Sequence, residues 1–538
     1  MTGNDKSGQA ILSVRNLSVR LPKGLDRRYA VHDISFELKA GEILCIIGES
    51  GSGKSVTANT IMGLLPSTMT IESGSIAFRG VDLLKVPESQ RRLLRGKSVS
   101  IIFQDPLSSL NPLMTIRDQI EEVLVAHDFG DRERRAAKIV ELLGEVGLPD
   151  PAVIQHQYPF RLSGGQRQRV MIAMALALDP DVLIADEPTT ALDVTTQAQI
   201  LDLIRRIQRR KGMSVMFITH DFGVVSEIAD SVIVMEKGDL VEQGGAKDVL
   251  LNPRHPYTKR LIAAVPHMRK GDRTAAPETD VVLEVADLRK TYRLGSGTFS
   301  HKRIVVALQD VSFTLRRGQT LGVVGESGSG KSSLGRVLMK LTTLDSGSIL
   351  FENRDIAALS EKEFRPLRPR IQMVFQDPFA SLNPRHTIGM SLTAGPVAHG
   401  RNAREVRARA YETLELVGLD PGAMERFPHE FSGGQRQRVG IARALMMDPE
   451  ILIADEAVSA LDVSIQAQIL ELLQRVQRER NLAIIFITHD LRVASQICDD
   501  ILVMHRGVVV ESGAPNVIFG TPQQGYTRNL VAAIPGTH

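Results

Sequence analysis

Several residue types that support particular functions are rare or missing in this chain of 538 residues. There is no tryptophan, and aromatic residues make up 4% of the sequence, so we expect no platform for stacking nucleic-acid bases. The two cysteines, Cys45 and Cys498, are too few for a disulfide framework or a zinc cluster. We interpret both as reduced, buried residues of a cytosolic chain.

Long apolar runs are also missing. The longest, residues 170–178, has nine residues, whereas a helix that spans a membrane needs about 20. The first residues, which include Asn4, Asp5 and Lys6, do not form the apolar core of a signal peptide. If the protein acts at a membrane, we therefore expect other chains to cross it.

Neither sign of charge dominates the sequence. Lysine and arginine number 65, aspartate and glutamate number 62, and the net charge is +3. This balance gives no general basic field for nucleic acid, so we expect no nucleic-acid partner. With 43% hydrophobic residues, the chain is long enough to bury the cores of two large globular domains.

One glycine-rich motif occurs twice with the same eight letters. Its residues are Gly48, Glu49, Ser50, Gly51, Ser52, Gly53, Lys54 and Ser55 in the first copy and Gly325, Glu326, Ser327, Gly328, Ser329, Gly330, Lys331 and Ser332 in the second. In this phosphate-loop pattern, glycines allow backbone N–H groups to surround the β- and γ-phosphates. The lysine contacts phosphate oxygens and the serine hydroxyl ligates Mg²⁺. The sequence therefore predicts two sites for a nucleoside triphosphate.

The neighbouring patterns indicate one α/β domain written twice. Apolar runs at 43–47 and 321–324 predict buried strands that enter the loops, and residues 56–65, followed by Pro66, predict the helix after the first loop. Runs at 182–185, 215–218, 451–454 and 483–487 predict parallel strands buried on both faces. Between Thr115 and Val146 the pattern is helical, with Ala136, Ile139, Val140, Leu143 and Val146 on one face.

The repeat predicts the domain boundaries. We expect the first domain at 1–268, a polar linker at 269–280 and the second domain at 281–538. The spacing between paired residues is constant from Ser163 and Ser432 onward, which indicates a tightly packed later part of each domain.

An acidic pair follows one buried run in each copy, as Asp186–Glu187 and Asp455–Glu456. An aspartate at the end of a strand can hold Mg²⁺, and the next glutamate can polarise a water for attack on the γ-phosphate. His220 and His489 each follow a later strand. Their repeated position favours a role as γ-phosphate sensors over a purely structural one.

A second possible anion site precedes an apolar helix in each copy. It comprises Ser163, Gly164, Gly165 and Gln166 in the first copy and Ser432, Gly433, Gly434 and Gln435 in the second. The serine and the bare glycine amides would lie at a helix N-terminus, where anions bind. One domain does not need two phosphate sites, but two domains facing head to tail do. We therefore predict an internal pseudo-dimer in which each domain closes over the nucleotide of the other.

Over nearly its whole length the sequence resembles the ATP-binding subunits of ABC transporters. Besides the motifs above, the matching residues are Gln104 and Gln376 (the Q-loops), and Ala191-Leu192-Asp193 and Ala460-Leu461-Asp462 (the D-loops). The resemblance implies two tandem P-loop ATPase domains, each with a RecA-like α/β core and an all-helical subdomain. It implies ATP and Mg²⁺ as ligands. The implied catalytic residues are Glu187, Glu456, His220, His489, Gln104 and Gln376, and the implied metal residues are Ser55, Gln104, Asp186, Ser332, Gln376 and Asp455.

Two further stretches resemble the oligopeptide, dipeptide and nickel importer branch. Phe-Gln-Asp-Pro leads to Ser-Leu-Asn-Pro at 103–112 and again at 375–384, and the segment 252–266 is echoed at 521–535. Fused tandem forms of this branch include importers for microcin C-type peptides and glutathione. The resemblance implies a peripheral protein on the cytoplasmic face of a bacterial inner membrane. Its implied partners are two integral-membrane permease subunits and a periplasmic solute-binding protein.

The sequence departs from this family in three places. Some members hold an iron–sulfur cluster on cysteines near the C-terminal segment, where this chain has none, so we expect no cluster. The second acidic pair is followed by Ala457 where the first has Pro188. Tyr292 occupies the position of an adenine-stacking aromatic in the second copy, but the first has Leu21 there and only Tyr29 nearby. Nucleotide affinity is therefore expected to differ between the sites.

Two other classes of protein fit parts of the pattern. A soluble tandem ATPase that acts on ribosomes or nucleic acid would also have two phosphate loops, but such proteins usually carry a long charged helical linker, and this linker has about a dozen residues. The basic stretch at residues 205–211 of the first domain fits the solvated face of a helix better than a nucleic-acid-binding patch. A regulator that does not hydrolyse ATP would have a broken acidic pair or signature, and both copies of each are intact in this sequence. Co-purification with permeases or with ribosomes would discriminate between these classes.

Overall fold

The computed structural model describes residues 9–24, 27–190, 192–266, 268, 279–294, 303–377, 381–459 and 461–536. The chain forms two compact units. The first comprises Met1–Leu192, Thr196–Val265 and Pro535–His538, and the second comprises Asp193–Thr195 and Pro266–Ile534. Each half of the chain has one antiparallel sheet and one mainly parallel sheet, so the predicted α/β class is confirmed.

The strands of the first half form two sheets. They are β1 (Ala10–Arg20), β2 (Tyr29–Lys39), β3 (Ile43–Ile47), β4 (Thr70–Phe78), β5 (Val81–Asp82), β6 (Val99–Ile102), β7 (Val182–Asp186), β8 (Ser214–Ile218), β9 (Ser231–Glu236) and β10 (Asp239–Gly245). The antiparallel sheet has the order β2-β1-β4-β5, and the larger sheet has the order β10-β9-β3-β8-β7-β6. Within the larger sheet all pairs are parallel except β10 with β9. The strand before the phosphate loop is therefore central.

Helices cover the parallel sheet and form a separate helical region after β6. They are α1 (Lys54–Met62), α2 (Glu88–Leu94), α3 (Pro106–Ser109), α4 (Ile116–Ala126), α5 (Arg132–Glu145), α6 (Pro151–Ile154), α7 (Gly164–Ala175), α8 (Val194–Lys211), α9 (Phe222–Ile228), α10 (Ala246–Leu251) and α11 (Pro256–Ala264). Helix α8 buries Ile200, Leu203, Ile204 and Ile207, as its helical period predicts.

Two details of the helix predictions are wrong. On α5, Val140 is 37% exposed, and Leu142 joins Ile139 and Leu143 in the core instead. Helix α1 covers Lys54–Met62 and not 56–65, because Gly63 adopts a left-handed conformation with φ 65°. Its N–H bonds the carbonyl of Thr60, and the N–H of Leu64 bonds that of Asn59, which closes the helix before Pro66.

The second half repeats this architecture. Its strands are β11 (Val281–Leu294), β12 (Arg303–Arg316), β13 (Thr320–Val324), β14 (Ser346–Phe351), β15 (Arg354–Asp355), β16 (Ile371–Val374), β17 (Ile451–Asp455), β18 (Ala483–Thr488), β19 (Asp500–His505) and β20 (Val508–Gly513). Its α-helices cover Lys331–Leu338, Glu361–Phe364, Ile388–Ala398, Ala403–Leu416, Gly433–Leu445, Val463–Arg480, Leu491–Ile497, Pro515–Gly520 and Gly525–Ala532. The sheet orders are β12-β11-β14-β15 and β16-β17-β18-β13-β19-β20.

Most of the predicted linker lies outside the described residues, which leave out 269–278. Its last two positions contact Arg317, directly after β12: Oγ1 of Thr279 donates to the carbonyl of Arg317, and the N–H of Arg317 donates to the carbonyl of Asp280. In the part of the chain that the structure describes, no helix is both long and apolar enough to span a bilayer.

The parallel sheet of the first unit should depend on Phe217. This side chain is fully buried in β8, so Phe217→Ala would leave a cavity and lower the free energy of unfolding by about 3–5 kcal/mol. Urea unfolding, with the folded fraction of the first unit measured by its resistance to proteolysis, gives the change in the free energy of unfolding. Phe160→Ala is the matched control: this ring is 65% exposed, and its loss should change stability by less than about 0.5 kcal/mol. Equal effects of the two substitutions would contradict this placement of the core.

Candidate active sites

The first phosphate loop joins the end of β3 to the start of α1. Two of its glycines are required by the packing of the protein itself. A Cβ atom on Gly48 would lie 2.2 Å from the carbonyl oxygen of Met235, and one on Gly53 would lie 2.5 Å from that of Ala30. Both glycines also have positive φ angles, 152° and 106°. A side chain at either position would therefore displace the loop from the sheet.

The second loop repeats this close packing. A Cβ atom on Gly325 would lie 2.2 Å from the carbonyl oxygen of Met504, and one on Gly330 would lie 2.3 Å from that of Ala307. The φ angles are 149° and 109°. The same eight letters thus form the same loop in both halves of the chain.

Each loop lysine is buried and bonded to the backbone of its own loop. Nζ of Lys54 donates to the carbonyl oxygens of Gly48 at 2.7 Å and Glu49 at 2.9 Å. Nζ of Lys331 donates to those of Gly325 at 2.7 Å and Glu326 at 2.8 Å. Burial lowers the pKa of Lys331, while the nearby Glu456 opposes this change. The ammonium group therefore lies inside the loop, where phosphate oxygens would be held.

A hydroxyl and a carboxylate meet beside each loop. Oγ of Ser55 donates to Oδ1 of Asp186 at 3.0 Å, and Oγ of Ser332 donates to Oδ1 of Asp455 at 3.1 Å. Burial raises the pKa of Asp186 and Asp455, and the serine hydrogen bonds oppose this rise. Mg²⁺ prefers hard oxygen ligands and keeps positions for phosphate and water, so this donor set fits the predicted metal.

The carboxylate of the glutamate in each acidic pair is in contact with polar side chains from other parts of the chain. Oε2 of Glu187 accepts hydrogen bonds from Nε2 of Gln104 at 2.8 Å and Oγ1 of Thr190 at 3.0 Å. Nδ1 of His220 lies 3.3 Å from the same oxygen. In the second copy, Nε2 of Gln376 donates to Oε2 of Glu456 at 2.7 Å. The predicted glutamine, glutamate and histidine are thus brought together in the first unit.

The second unit completes the same cluster, and its backbone is unusual. Nδ1 of His489 lies 3.4 Å from Oε1 of Glu456. Glu187 and Glu456 both adopt left-handed backbone conformations, with φ angles of 46° and 48°. A non-glycine residue in this region costs about 1–2 kcal/mol. Such strain is concentrated at functional sites, and here it occurs at the same position in both copies.

The electrostatics keep these glutamates ionised. Burial acts to raise the pKa of Glu187, but the hydrogen bond and charge of His220, with Lys54 and Thr190, outweigh it and lower the pKa to about 2. Burial is likewise outweighed by His489 and Lys331 at Glu456, whose pKa is also lowered. The pKa of His489 is raised, because Glu456 outweighs the effect of burial. At neutral pH each carboxylate can therefore accept a hydrogen bond from a water.

The signature residues begin helices, as the sequence predicts. Ser163 caps α7: its Oγ accepts from the N–H of Gln166 at 3.3 Å, and Oε1 of Gln166 accepts from the N–H of Ser163 at 3.0 Å. Ser432 and Gln435 form the same capping box before the helix Gly433–Leu445. A Cβ atom on Gly165 would lie 2.7 Å from Cγ2 of Thr196, so this glycine also allows α7 to pack closely on α8. The predicted anion-binding role of these residues stays a prediction.

The candidate adenine contacts differ between the two copies. Tyr292 lies half-buried near the end of β11, with Nζ of Lys290 5.2 Å from its ring centroid. In the first copy Tyr29 is stacked on His32 with ring centroids 4.9 Å apart. The role of Tyr292 stays a prediction. Of the D-loops, Ala191 and Ala460 lie outside the described residues.

Sequence reasoning missed three polar side chains of these sites. Thr190 bonds Glu187, as described above. Tyr257 and Tyr526 each bond the main chain of a phosphate loop, with their hydroxyl oxygens 3.1 Å from the amide nitrogen of Glu49 and 3.2 Å from that of Glu326. Both tyrosines lie in the repeated segment near the end of each domain, so the repetition itself was the available signal.

Both cysteines are buried. Cys45 lies in β3, and Cys498 follows the helix Leu491–Ile497. The expectation that the protein holds no iron–sulfur cluster remains a prediction, which iron analysis of the purified protein would check.

The fold and the sites define a class of protein. A loop of this type between a buried parallel strand and a helix, faced by an acidic pair and a histidine, is typical of phosphate-loop nucleoside triphosphatases. This chain carries the arrangement twice.

Comparison with known proteins narrows the class. The family described as "ABC transporter" matches residues 31–190 and 308–459, and the family described as "Oligopeptide/dipeptide transporter, C-terminal region" matches residues 241–290. The chain therefore belongs to the ABC transporter family, as a tandem ATP-binding protein with an oligopeptide/dipeptide-type segment. The resemblance predicted from the motifs is confirmed.

Two similar proteins match over nearly the whole chain. The "Peptidoglycan transport ATP-binding protein YejF" of Agrobacterium fabrum is 48% identical over 535 residues, 98% of this chain and 96% of that protein. The "Glutathione import ATP-binding protein GsiA" of Salmonella paratyphi A is 44% identical over 557 residues, 98% of this chain and 89% of that protein. A solved structure, the ATP-binding cassette MJ0796 bound to ADP and Pi, is 29% identical with a TM-score of 0.40. It covers 43% of this chain and 98% of that one.

The double substitution Glu187→Gln and Glu456→Gln tests the chemistry of the sites. Each change keeps the shape of the side chain but removes the charge that would orient the attacking water. ATP hydrolysis should fall by about 10²–10⁴-fold, the usual effect of losing a positioned base, while ATP binding is retained. Phosphate release and equilibrium ATP binding measure the two properties.

Glu141→Gln, on the exposed side of α5, is the matched control and should leave both properties unchanged. Hydrolysis within a few-fold of wild type in the double variant would rule out the assignment of Glu187 and Glu456.

Proposed function

We propose that this protein is the ATP-hydrolysing subunit of a bacterial importer for peptides or peptide-like solutes. The observation that carries the proposal is that both halves of the chain hold a complete polar cluster around the phosphate loop. The names of the two similar proteins, one for peptidoglycan transport and one for glutathione import, support a peptide-class cargo. The oligopeptide/dipeptide-type segment supports the same class. We place the domains at 1–268 and 281–538.

Each side chain has a defined part in the proposed reaction. Lys54 would bond the phosphate oxygens while its contacts with the loop carbonyl oxygens hold the ammonium group in place. Glu187, held ionised by His220, would orient a water in line with the γ-phosphate. Ser55 and Asp186 would hold Mg²⁺, which when bound neutralises charge on the β- and γ-phosphates. The second copy offers Lys331, Glu456, His489, Ser332 and Asp455 for the same tasks.

An apolar groove in the first domain offers a place for a permease. It has a volume of about 400 Å³, and its walls include Phe103, Val123, Met171 and Met174. We propose that a short helix from an integral-membrane subunit fills it. Phe103 is 41% exposed and directly precedes Gln104, which bonds the proposed water-orienting glutamate. A displacement of Phe103 by the bound helix would therefore be transmitted through Gln104 to Glu187.

The proposed complex contains two permease subunits and a periplasmic solute-binding protein, with this chain on the cytoplasmic face of the inner membrane. An action on ribosomes or nucleic acid has less support. The net charge of +3 gives no basic field, and the names of the similar proteins refer to transport and import. The solute itself would be selected by the binding protein and the permeases.

The head-to-tail arrangement remains part of this proposal. One site would combine Lys54, Ser55, Gln104, Asp186, Glu187 and His220 with Ser432, Gly433 and Gly434. The other would combine Lys331, Ser332, Gln376, Asp455, Glu456 and His489 with Ser163, Gly164 and Gly165. Its support is that each domain carries two candidate phosphate-binding motifs on different elements, β3–α1 and α7 in the first copy.

Double substitutions in the assembled complex test which residues share a site. Lys54→Ala combined with Ser432→Arg should be little worse than Lys54→Ala alone, because both changes disable one site. Lys54→Ala combined with Ser163→Arg should abolish the remaining turnover, because both sites are then damaged. ATP turnover in the complex measures the contrast.

The comparison requires that Lys54→Ala alone retains measurable turnover, which serves as its reference. The reverse ranking of the two combinations would mean that each domain closes on its own nucleotide, and the head-to-tail arrangement would be wrong.

The groove is tested by Ala126→Arg. Ala126 is exposed at the end of α4 and lines the groove, so a long charged side chain would fill it without disturbing the core. Recovery of the permease subunits with the ATPase should fall at least about tenfold, the effect of roughly 1.4 kcal/mol. ATP binding by the isolated chain should be unchanged.

Ala152→Arg, at an exposed position of α6 outside the groove, is the matched control and should retain the permeases. Wild-type recovery of permeases by the Ala126 variant would show that they dock elsewhere.

A further inference from the structure

The segment that ends each domain returns to the phosphate loop of the same domain. Tyr257 lies in the first turn of α11, and its hydroxyl oxygen accepts a hydrogen bond from the backbone N–H of Glu49 at 3.1 Å. In the second copy the hydroxyl oxygen of Tyr526 accepts from the N–H of Glu326 at 3.2 Å. These partners are 208 and 200 residues apart in sequence. The same contact is therefore built twice from distant parts of the chain.

The backbone just before each tyrosine is anchored by a glutamate of the last strand in that half of the chain. Glu242 in β10 accepts from the N–H groups of Arg254 at 2.8 Å and His255 at 3.1 Å, directly before α11. Glu511 in β20 accepts from the N–H groups at 523 and 524 at 2.8 and 3.2 Å. The side chains at these positions differ between the copies, but the bonds use the backbone. The anchor is thus the same in both domains.

The two phenol groups are neutral acceptors. Tyr257 is 3% exposed, and the ring of Tyr526 is stacked on His505 with centroids 4.1 Å apart. Burial raises the pKa of both hydroxyls, that of Tyr526 to about 12. At neutral pH both groups are protonated, and each oxygen accepts one loop N–H.

The tyrosine and the loop lysine form hydrogen bonds with opposite ends of the same peptide group. The N–H of Glu49 and the carbonyl of Gly48 belong to one peptide unit. Tyr257 bonds its N–H end, and Nζ of Lys54 bonds its carbonyl end at 2.7 Å. In the second copy Tyr526 and Lys331 bond the two ends of the peptide between Gly325 and Glu326. Hydrogen bonds in such a chain polarise one another, and together they fix the plane of the peptide.

We propose that Tyr257 and Tyr526 are positioning residues for ATP binding. Each would hold the first peptide of its phosphate loop in the orientation that directs the carbonyl oxygen to the loop lysine. The end segment of each domain would thereby set the nucleotide affinity of that domain. This inference rests on the proposed function, in which these loops bind ATP.

Substitution to phenylalanine removes the hydroxyl and keeps the ring. In the full-length chain with Lys331→Ala, which leaves the first loop as the intact one, Tyr257→Phe should weaken ATP binding by about 3–10-fold, the effect of one hydrogen bond on an equilibrium. Tyr526→Phe should have no effect there. With Lys54→Ala the two tyrosines should exchange roles. Calorimetric titration with ATP measures the dissociation constants, and the KM for ATP should rise with little change in kcat.

Two controls separate positioning from general damage. Tyr411→Phe removes a hydroxyl that accepts a bond from Arg407 on the helix Ala403–Leu416, and it should not change ATP affinity in either background. Glu242→Gln weakens the anchor but keeps the hydroxyl, so it should weaken ATP binding in the Lys331→Ala background only. A loss of affinity that does not depend on the background would overturn the inference in favour of a structural role.

The test also separates this inference from the proposed function. If Lys54→Ala combined with Lys331→Ala abolishes ATP binding while the tyrosine variants bind as wild type does, the positioning role is wrong and the proposed sites remain. If that double lysine variant binds ATP like the wild type, the loops are not the nucleotide sites, and both proposals fall.

Discussion

Buried charge at one edge of each parallel sheet is the constraint on which the sites depend. A lysine and two carboxylates are removed from water within one loop and one strand end, and isolated charges in such a place would be very costly. Each is stabilised by hydrogen bonds: Lys54 by carbonyl oxygens of its loop, Asp186 by Ser55, and Glu187 by Gln104 and Thr190. The close-packed glycines and the left-handed backbone of Glu187 allow these partners to come within hydrogen-bond distance.

Parallel pairing explains how residues so distant in sequence reach one edge. Strand β8 pairs with β3 on one side and β7 on the other, so the loop after β3, the acidic pair after β7 and His220 after β8 emerge side by side. The N–H of Glu187 donates to the carbonyl of Ile218 at 2.9 Å and extends the strand pairing by one residue.

Most of the fold could be predicted because its signals are local. Buried strands such as β7 are continuous apolar runs, the phosphate loops have fixed spacing, and Ser163 begins its helix with a glutamine three residues later, a known capping pattern. The errors and omissions have different causes. Helix α1 ends at Gly63, and a glycine with a proline three residues later is a local stop signal that the prediction of 56–65 did not use. On α5, packing places Leu142 in the core and leaves Val140 exposed. The bond from Tyr257 to the loop joins residues 208 positions apart, and no local pattern could reveal it.

The two halves of the chain act as an internal comparison, and they differ where the chemistry allows it. Contacts that stabilise buried charge are kept: serine with aspartate, glutamine with glutamate, and lysine with loop carbonyls have distances within 0.1 Å in the two copies. The two copies differ in the contact made by the residue three positions after each glutamate. Thr190 donates to the carboxylate of Glu187, whereas Ser459 donates to the main-chain carbonyl of Glu456 at 3.1 Å. Together with Tyr292, which stands where the first copy has Leu21, this difference is the reason we expect the two sites to differ in nucleotide affinity.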